Sequence, residues 1–397
     1  MKKSLIWFIL VLAVLYGALA YRLVKIRPLI RPEETGARKI NQEGYFDYRG
    51  VIHFHTGYSG DATGSFEALA ELANRQRVDF MISSDHGTLK PLEEGKEHWY
   101  RNTLFLVGEE QAVSEGYLIL LNLSQMPVHP IESGTDWIRL VNEQNGLAFI
   151  AHPGHPSWKW NGEMPGGIVG MEILDFADQW YSASFLTLLN AVIIYPLDPT
   201  LALLSIYRRP DTSLNEWDRL TAGKRAVGIF APDFHQAVRL FGDYKYPFPA
   251  AAAILPMAHD HILVRSELTG ALADDRNRVY DAIRKGHLFV SLDAVADGTG
   301  FFFSATRGDT TWWMGDELPA GEETIFKVRL PPAYAERESE IRVWMNGRLL
   351  LSSPQKALEF HDRLPGAYRI EVLTGFPSVW SNHRQDVTLY SNPIYLR

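Results

Sequence analysis

Four apolar stretches of this chain each end in side chains that bind metals or move protons. Val51-Ile52-His53-Phe54-His55 is followed by Asp61 in the adjoining loop, and Phe80 to Ser84 runs into Asp85-His86. Ala148 to Ala151 runs into His152-Pro153, and Ala226 to Pro232 runs into Asp233-Phe234-His235. A fifth, weaker instance is Leu104 to Gly108 followed by Glu109-Glu110. In a strand, side chains at i and i+2 share a face, so His53 and His55 address one spot while Ile52 and Phe54 face the other way. Imidazole and carboxylate ligands together suit zinc, manganese or iron, and a surplus over what one ion can use points to two or more ions. Each pair alone has a plain structural reading: core histidines, a cap at Asp85-His86, a turn at His152-Pro153. Recurrence at successive strand ends favours the metal.

Ligands spread over nearly two hundred positions meet only if the elements carrying them converge. Residues 47–298 alternate strand-like runs with amphipathic stretches such as S-F-E-A-L-A-E-L-A-N-R-Q, where Phe66, Leu69, Ala70 and Ala73 recur at helical spacing. In a parallel α/β barrel the carboxyl ends of all strands open on one face, which gathers the ligands without further assumption. From 299 to 397 the pattern changes to short strands, with Asn346-Gly347 as a two-residue hairpin signal, and predicts a small antiparallel β-sandwich domain. Residues 185–207 carry Asp198 as their only charge and are broken by Pro196 and Pro199. They read as two short buried helices, or as a hairpin dipping into a membrane interface.

The chain is 46% hydrophobic and contains no cysteine, so disulfides and thiolate ligands are excluded and any metal rests on His, Asp and Glu. Residues 1–32 hold Lys2 and Lys3, an uncharged run from Ser4 to Tyr21, then Arg22, Lys25, Arg27 and Arg31. This predicts a membrane anchor or signal segment: a single-pass protein with its body outside the cytoplasm, or a secreted or periplasmic one cleaved after Ala18-Leu19-Ala20. Residues 33–46 read as a polar linker. All 47 acidic residues lie beyond residue 32, against 33 of the 39 basic ones. A body so acidic has no electrostatic footprint for nucleic acid.

Taken in order, His53-x-His55, Ser84-Asp85-His86, Ala151-His152-Pro153 and Asp233-x-His235 resemble the four motifs of the polymerase and histidinol phosphatase (PHP) superfamily. More narrowly, the chain is similar to the extracytoplasmic branch that includes carbaryl-hydrolase-like metallohydrolases. Trp217-Asp218-Arg219-Leu220 and Ser391-Asn392-Pro393-Ile394-Tyr395 add to the likeness, which covers the chain from about residue 47 onward. The resemblance implies a distorted (β/α)7 barrel of PHP type, followed here by the β-sandwich, and two or three divalent ions: Mn, Zn or Fe. It makes His53, His55, Asp61, His86, Glu110, His152, Asp233 and His235 the metal ligands. Glu110 is preferred to Glu109 because the family pattern is Gly-x-Glu, and Asp85 becomes a carboxylate that orients a ligand histidine. Relatives carry another histidine where Tyr117 stands, so a dinuclear centre is expected. The usual glycine and serine before the fourth motif are Ala231-Pro232, which reshapes the approach to Asp233 and leaves a catalytically weakened member open. His155 and Tyr117 are expected to touch substrate. His259-x-His261 lies in a segment read as helical, where i and i+2 diverge.

The chemistry expected is attack by a metal-bound hydroxide on a small-molecule or lipid-linked phosphate ester, with the ions neutralising charge in the transition state. Two alternatives stand beside this phosphoesterase reading. One is a carboxylic or carbamate ester hydrolase on the same centre; the other is a non-catalytic, metal-containing binding protein whose C-terminal sandwich recognises a partner. In each reading the N-terminal segment, with 185–207 if that stretch is an interfacial hairpin, tethers the chain to the membrane.

Overall fold

The apolar runs become strands of one mixed sheet. The computed structural model describes residues 2–26, 44–241, 244–246, 248–381 and 384–397, so most of the polar linker at 33–46 lies outside the described residues. The site-bearing strands are β1 (Phe46–Ile52), β2 (Phe80–His86), β3 (Thr103–Val113), β4 (Gly116–Leu121), β5 (Leu147–Ile150), β6 (Gly170–Asp175), β7 (Val227–Ala231), β8 (His259–Val264) and β9 (Leu288–Ser291). Their order in the sheet is β9-β8-β1-β2-β3-β4-β5-β6-β7. The pairs β1/β2, β2/β3, β5/β6 and β6/β7 are parallel, and the remaining neighbours are antiparallel. The sheet is therefore not the uniformly parallel one expected. A single parallel bridge, Phe54 to Phe234, links the chain leaving β1 to the chain leaving β7. Two backbone hydrogen bonds reinforce it: His55 N to Phe234 O and Asp233 N to His53 O, both 3.1 Å.

Both faces of the sheet are covered, which is why its strands read as continuous apolar runs. Val51, Met81, Phe105 and Leu118 join one core cluster; their neighbours Ile52, Ile82, Leu106 and Ile119 join another. The helix Phe66–Gln76 packs on the first. Ser65 caps it by accepting from Ala68 N at 3.2 Å, and Phe66, Leu69, Ala70 and Ala73 form its buried stripe. The helix Leu272–Lys285 packs Val279 and Ile283 on the second.

Beyond residue 300, four strands (Phe302–Arg307, Thr310–Trp313, Thr324–Arg329 and Ala357–Asp362) form a separate antiparallel sheet. Asn346 and Gly347, at φ 49° and 74°, make the anticipated two-residue turn between Met345 and Arg348. Hydrogen bonding does not stop at the sandwich: Phe289 of β9 pairs with Ser391, so the large sheet runs on into the C-terminal strands. Polar contacts fasten the same junction. Arg369 is buried and holds Asp218 through two bonds of 2.7 and 2.8 Å, while Asn392 bonds Gly228 N, Gly228 O and Leu288 O.

The N-terminal expectation fails. Among the described residues no helix is long and apolar enough to cross a membrane, so a single-pass anchor and the extracytoplasmic placement built on it are not supported. The run instead forms the helix Lys2–Ile26, whose final turns carry Arg22 and Lys25 and bury Leu19, Leu23 and Ile26 in the main core. Residues 185–207 form two helices, Phe185–Ile194 and Pro199–Leu204, with Asp198 capping the second. The second is buried, whereas Phe185, Leu186, Leu189, Val192 and Ile193 of the first are exposed.

Candidate metal centre

The strand ends bring four ligand atoms into one small group. His53 and His55 follow β1, Glu110 lies on β3 and Asp233 follows β7. His53 Nε2 and His55 Nε2 are 3.1 Å apart. Asp233 Oδ1 lies 3.2 Å from the first and 3.1 Å from the second, and Glu110 Oε2 lies 3.5 and 3.2 Å from them. Neither Glu110 Oε2 nor Asp233 Oδ1 has a hydrogen-bond partner, although both are buried. Unsatisfied buried oxygens are costly, and these two converge on two ring nitrogens.

The partners set which nitrogens face the group. His53 Nδ1 donates to Glu172 Oε1 at 2.6 Å, so Nε2 faces the group and offers a lone pair once a cation displaces its proton. Ser59 Oγ donates to Asp85 Oδ1 at 2.8 Å, so at 2.9 Å from His55 Nδ1 it accepts, and His55 Nε2 is also a lone pair. Four lone-pair atoms thus surround one point. Separations of 3.1 to 3.5 Å are those of donors that share one cation through bonds of about 2.0–2.2 Å. The residues fit a divalent cation.

A second group lies nearer solvent. His86 Nε2 is 3.3 Å from Asp61 Oδ2 and 3.4 Å from His235 Nε2, which lies 3.5 Å from Asp61. Their side chains are 34, 49 and 25% exposed, against 0% for His53 and His55, so the cluster opens on this side. Glu110 joins the two groups, its Oε2 lying 3.0 Å from His86 Nδ1, and its Oε1 reaches His152 Nε2 at 2.9 Å. His152 Nδ1 in turn donates to Asp175 Oδ2 at 2.5 Å.

Burial opposes every charge here, yet the partners outweigh it. Burial would lower the pKa of His53, but Glu172, Asp233 and Glu110 hold it well above the ordinary range; Asp175 and Glu110 do the same for His152. His86 is pushed up to about 10 by Asp61 and Glu110. Against burial, His53 above all holds Glu110 and Asp233 well below the usual carboxylate range. Each group demands positive charge at its centre, supplied by protons when no cation is bound.

All eight residues named from the sequence as ligands fall in this cluster. Asp85 touches no histidine directly: it accepts from Thr56 N, Thr56 Oγ1 and Ser59 Oγ, and reaches His55 through that serine. Tyr117 stands edge-on to His152 with ring centroids 5.7 Å apart. His155 is buried and stacks on Trp158 at 3.9 Å. Its Nδ1 accepts from Ser157 N and Trp158 N, so its proton sits on Nε2, which has no partner. Sequence reasoning missed Glu172 and Asp175, both on β6. Their signal is an acid within the apolar run G-M-E-I-L-D-F, where every strand residue is buried.

His259-x-His261 requires a correction, because it lies on β8 and not on a helix. Both rings contact Asp293 Oδ2, at 2.8 and 3.0 Å, and His261 Nδ1 meets Asp47 at 2.8 Å. Arg49 approaches Asp293 and Asp297 at 3.9 Å, so this cluster carries its own cation and is a buried ionic network.

No family model matches the chain, and no curated protein matches it. Among solved structures it is similar to a two-domain protein from Bacteroides vulgatus containing a predicted PHP-like metal-dependent phosphoesterase, at 11% identity and a TM-score of 0.41 over 88% of this chain and 96% of that one. A protein from Bifidobacterium adolescentis assigned as a metal-dependent phosphoesterase shows 13% identity and a TM-score of 0.31, over 52% and 95%. An amidohydrolase from Chromobacterium violaceum shows 14% and 0.28, over 47% and 87%. Two of these three are described as metal-dependent phosphoesterases, one of them as PHP-like, and none names the carbaryl-hydrolase-like branch. At such identities and scores the weight rests on the site. The sheet and cluster define an α/β protein with buried histidine–carboxylate groups able to hold divalent cations.

Proposed function

We propose that the chain is a metal-dependent hydrolase of PHP type, a phosphoesterase with a dinuclear centre at the mouth of a distorted (β/α)7 barrel. The observation carrying this reading is the group of four converging lone-pair atoms, two of them buried oxygens without a partner. His53, His55, Glu110 and Asp233 would hold the inner ion; His86, His235 and Asp61 the outer one, with Glu110 and His152 between and beside them. Mixed nitrogen and oxygen donors suit Mn, Zn or Fe. A bound ion supplies Lewis acidity and acidifies a coordinated water.

The chain's own side chains do the rest. Glu172, Asp175 and the Asp85–Ser59 relay fix which nitrogen of His53, His152 and His55 faces the centre. His155 offers a fixed N–H for an ester oxygen. The exposed edge at Asp61, His86 and His235 admits substrate and water.

Metal analysis of the purified chain and of His53→Ala, followed by assays on p-nitrophenyl phosphate, bis-p-nitrophenyl phosphate and a naphthyl carboxylic ester with added Mn²⁺, tests the reading. Two ions are expected in the parent chain and fewer in the variant. Phosphoester turnover should fall at least as far as the roughly 10–100-fold seen when a ligand merely loses its support. Cleavage of the carboxylic ester alone would replace the phosphoesterase with an esterase, and bound metal without turnover would favour a binding protein.

A further inference from the structure

A cavity of about 450 Å³ adjoins the outer edge of the cluster, within the size range of small-molecule sites. Asp61, Asp233 and His235 form its polar end. The remainder is apolar and rich in aromatic rings: Trp158, Phe176, Trp180, Tyr181 and Phe248 line it beside proline and aliphatic side chains. Trp158 is held rigid between His155, stacked at 3.9 Å, and Tyr181, edge-on at 5.2 Å; Trp180 meets Phe248 at 6.1 Å. Among the described residues no Lys or Arg lines the cavity.

A substrate whose reacting group sits at Asp61, Asp233 and His235 can extend from it into that apolar chamber. Flat apolar groups bury well against such walls. A second anionic group would find carboxylates at the polar end and no cation among the described walls. From this geometry, and resting on the hydrolase reading above, we infer that the substrate is an ester whose leaving group is large, aromatic and uncharged.

Three aryl phosphates with leaving groups of similar acidity test this without confounding binding with intrinsic reactivity: phenyl, 4-biphenylyl and 4-carboxyphenyl phosphate. With Mn²⁺ present, KM for the biphenylyl ester should be roughly tenfold or more below that for the phenyl ester, and KM for the carboxyphenyl ester above both. Trp180→Ala and Phe248→Ala should each shrink the biphenylyl advantage below about threefold. Independently of turnover and of variant folding, 4-phenylphenol should quench tryptophan fluorescence of the parent chain at lower concentration than phenol. Equal KM values, or preference for the charged ester, overturn the inference. Tighter binding of 4-phenylphenol with no turnover of any phosphate would sink the phosphoesterase and leave the aromatic chamber standing; equal binding of the two phenols would sink the chamber.

Discussion

Glu109 and Glu110 are adjacent on β3 and face opposite ways. Glu110 enters the metal cluster, whereas Glu109 is buried with neither carboxylate oxygen partnered. Burial alone pushes the Glu109 pKa up to about 8. The folded chain therefore keeps a proton there that the unfolded chain releases above about 4.5. Stability falls as pH rises between those values and levels off beyond the upper one. Glu109→Gln should stabilise the protein by on the order of 4 kcal/mol at pH 8, with no gain near pH 4, as read from denaturation midpoints. Glu172 is the second test at this scale. Glu172→Gln should weaken metal binding about 10–100-fold in chelator competition, because one amide oxygen cannot accept from both His53 Nδ1 and His152 N as the carboxylate does. The preference for Glu110 over Glu109 came from the Gly-x-Glu pattern of the family the chain resembles, and Glu110 is the one that lies among the histidines. Glu172 was not legible in the sequence, since no histidine stands beside it and only folding shows what it faces.

Strands deliver the ligands, and the backbone bends where they do. His53, His152 and Asp233 have φ of 72, 53 and 40°, a left-handed conformation that costs on the order of 1–3 kcal/mol each away from glycine. The bonds stitching the ends of β1 and β7 hold two of them there. The β6/β7 pair has its own constraint, since a Cβ on Gly170 would lie 1.8 Å from Val227 O. Gly170→Ala should lower stability by about 1–3 kcal/mol or more, and metal content should fall with it as Glu172 and Asp175 shift. Elements ending in histidine were readable because apolar runs stop where polar chemistry begins. β8 was misread for a physical reason: all six of its residues are buried, so no alternation marks it.

At the scale of the molecule, the junction between the two sheets is ionic as well as apolar. Arg369→Met leaves Asp218 without the buried cation it bonds and should cost about 3–5 kcal/mol. Adding Asp218→Leu should recover much of that, and fluorescence and circular dichroism should report one shared transition in every variant. The sequence stretches Trp217 to Leu220 and Ser391 to Tyr395 both contribute to this junction, Asp218 by bonding Arg369 and Asn392 by bonding Gly228; those partners were invisible along the chain. Asn392 grips both backbone groups of Gly228, 164 positions earlier, on the strand leading to Asp233 and His235. That strand is therefore clasped only once Asn392 has been made and has folded back onto it, which ties the cation pocket to the far end of the sheet.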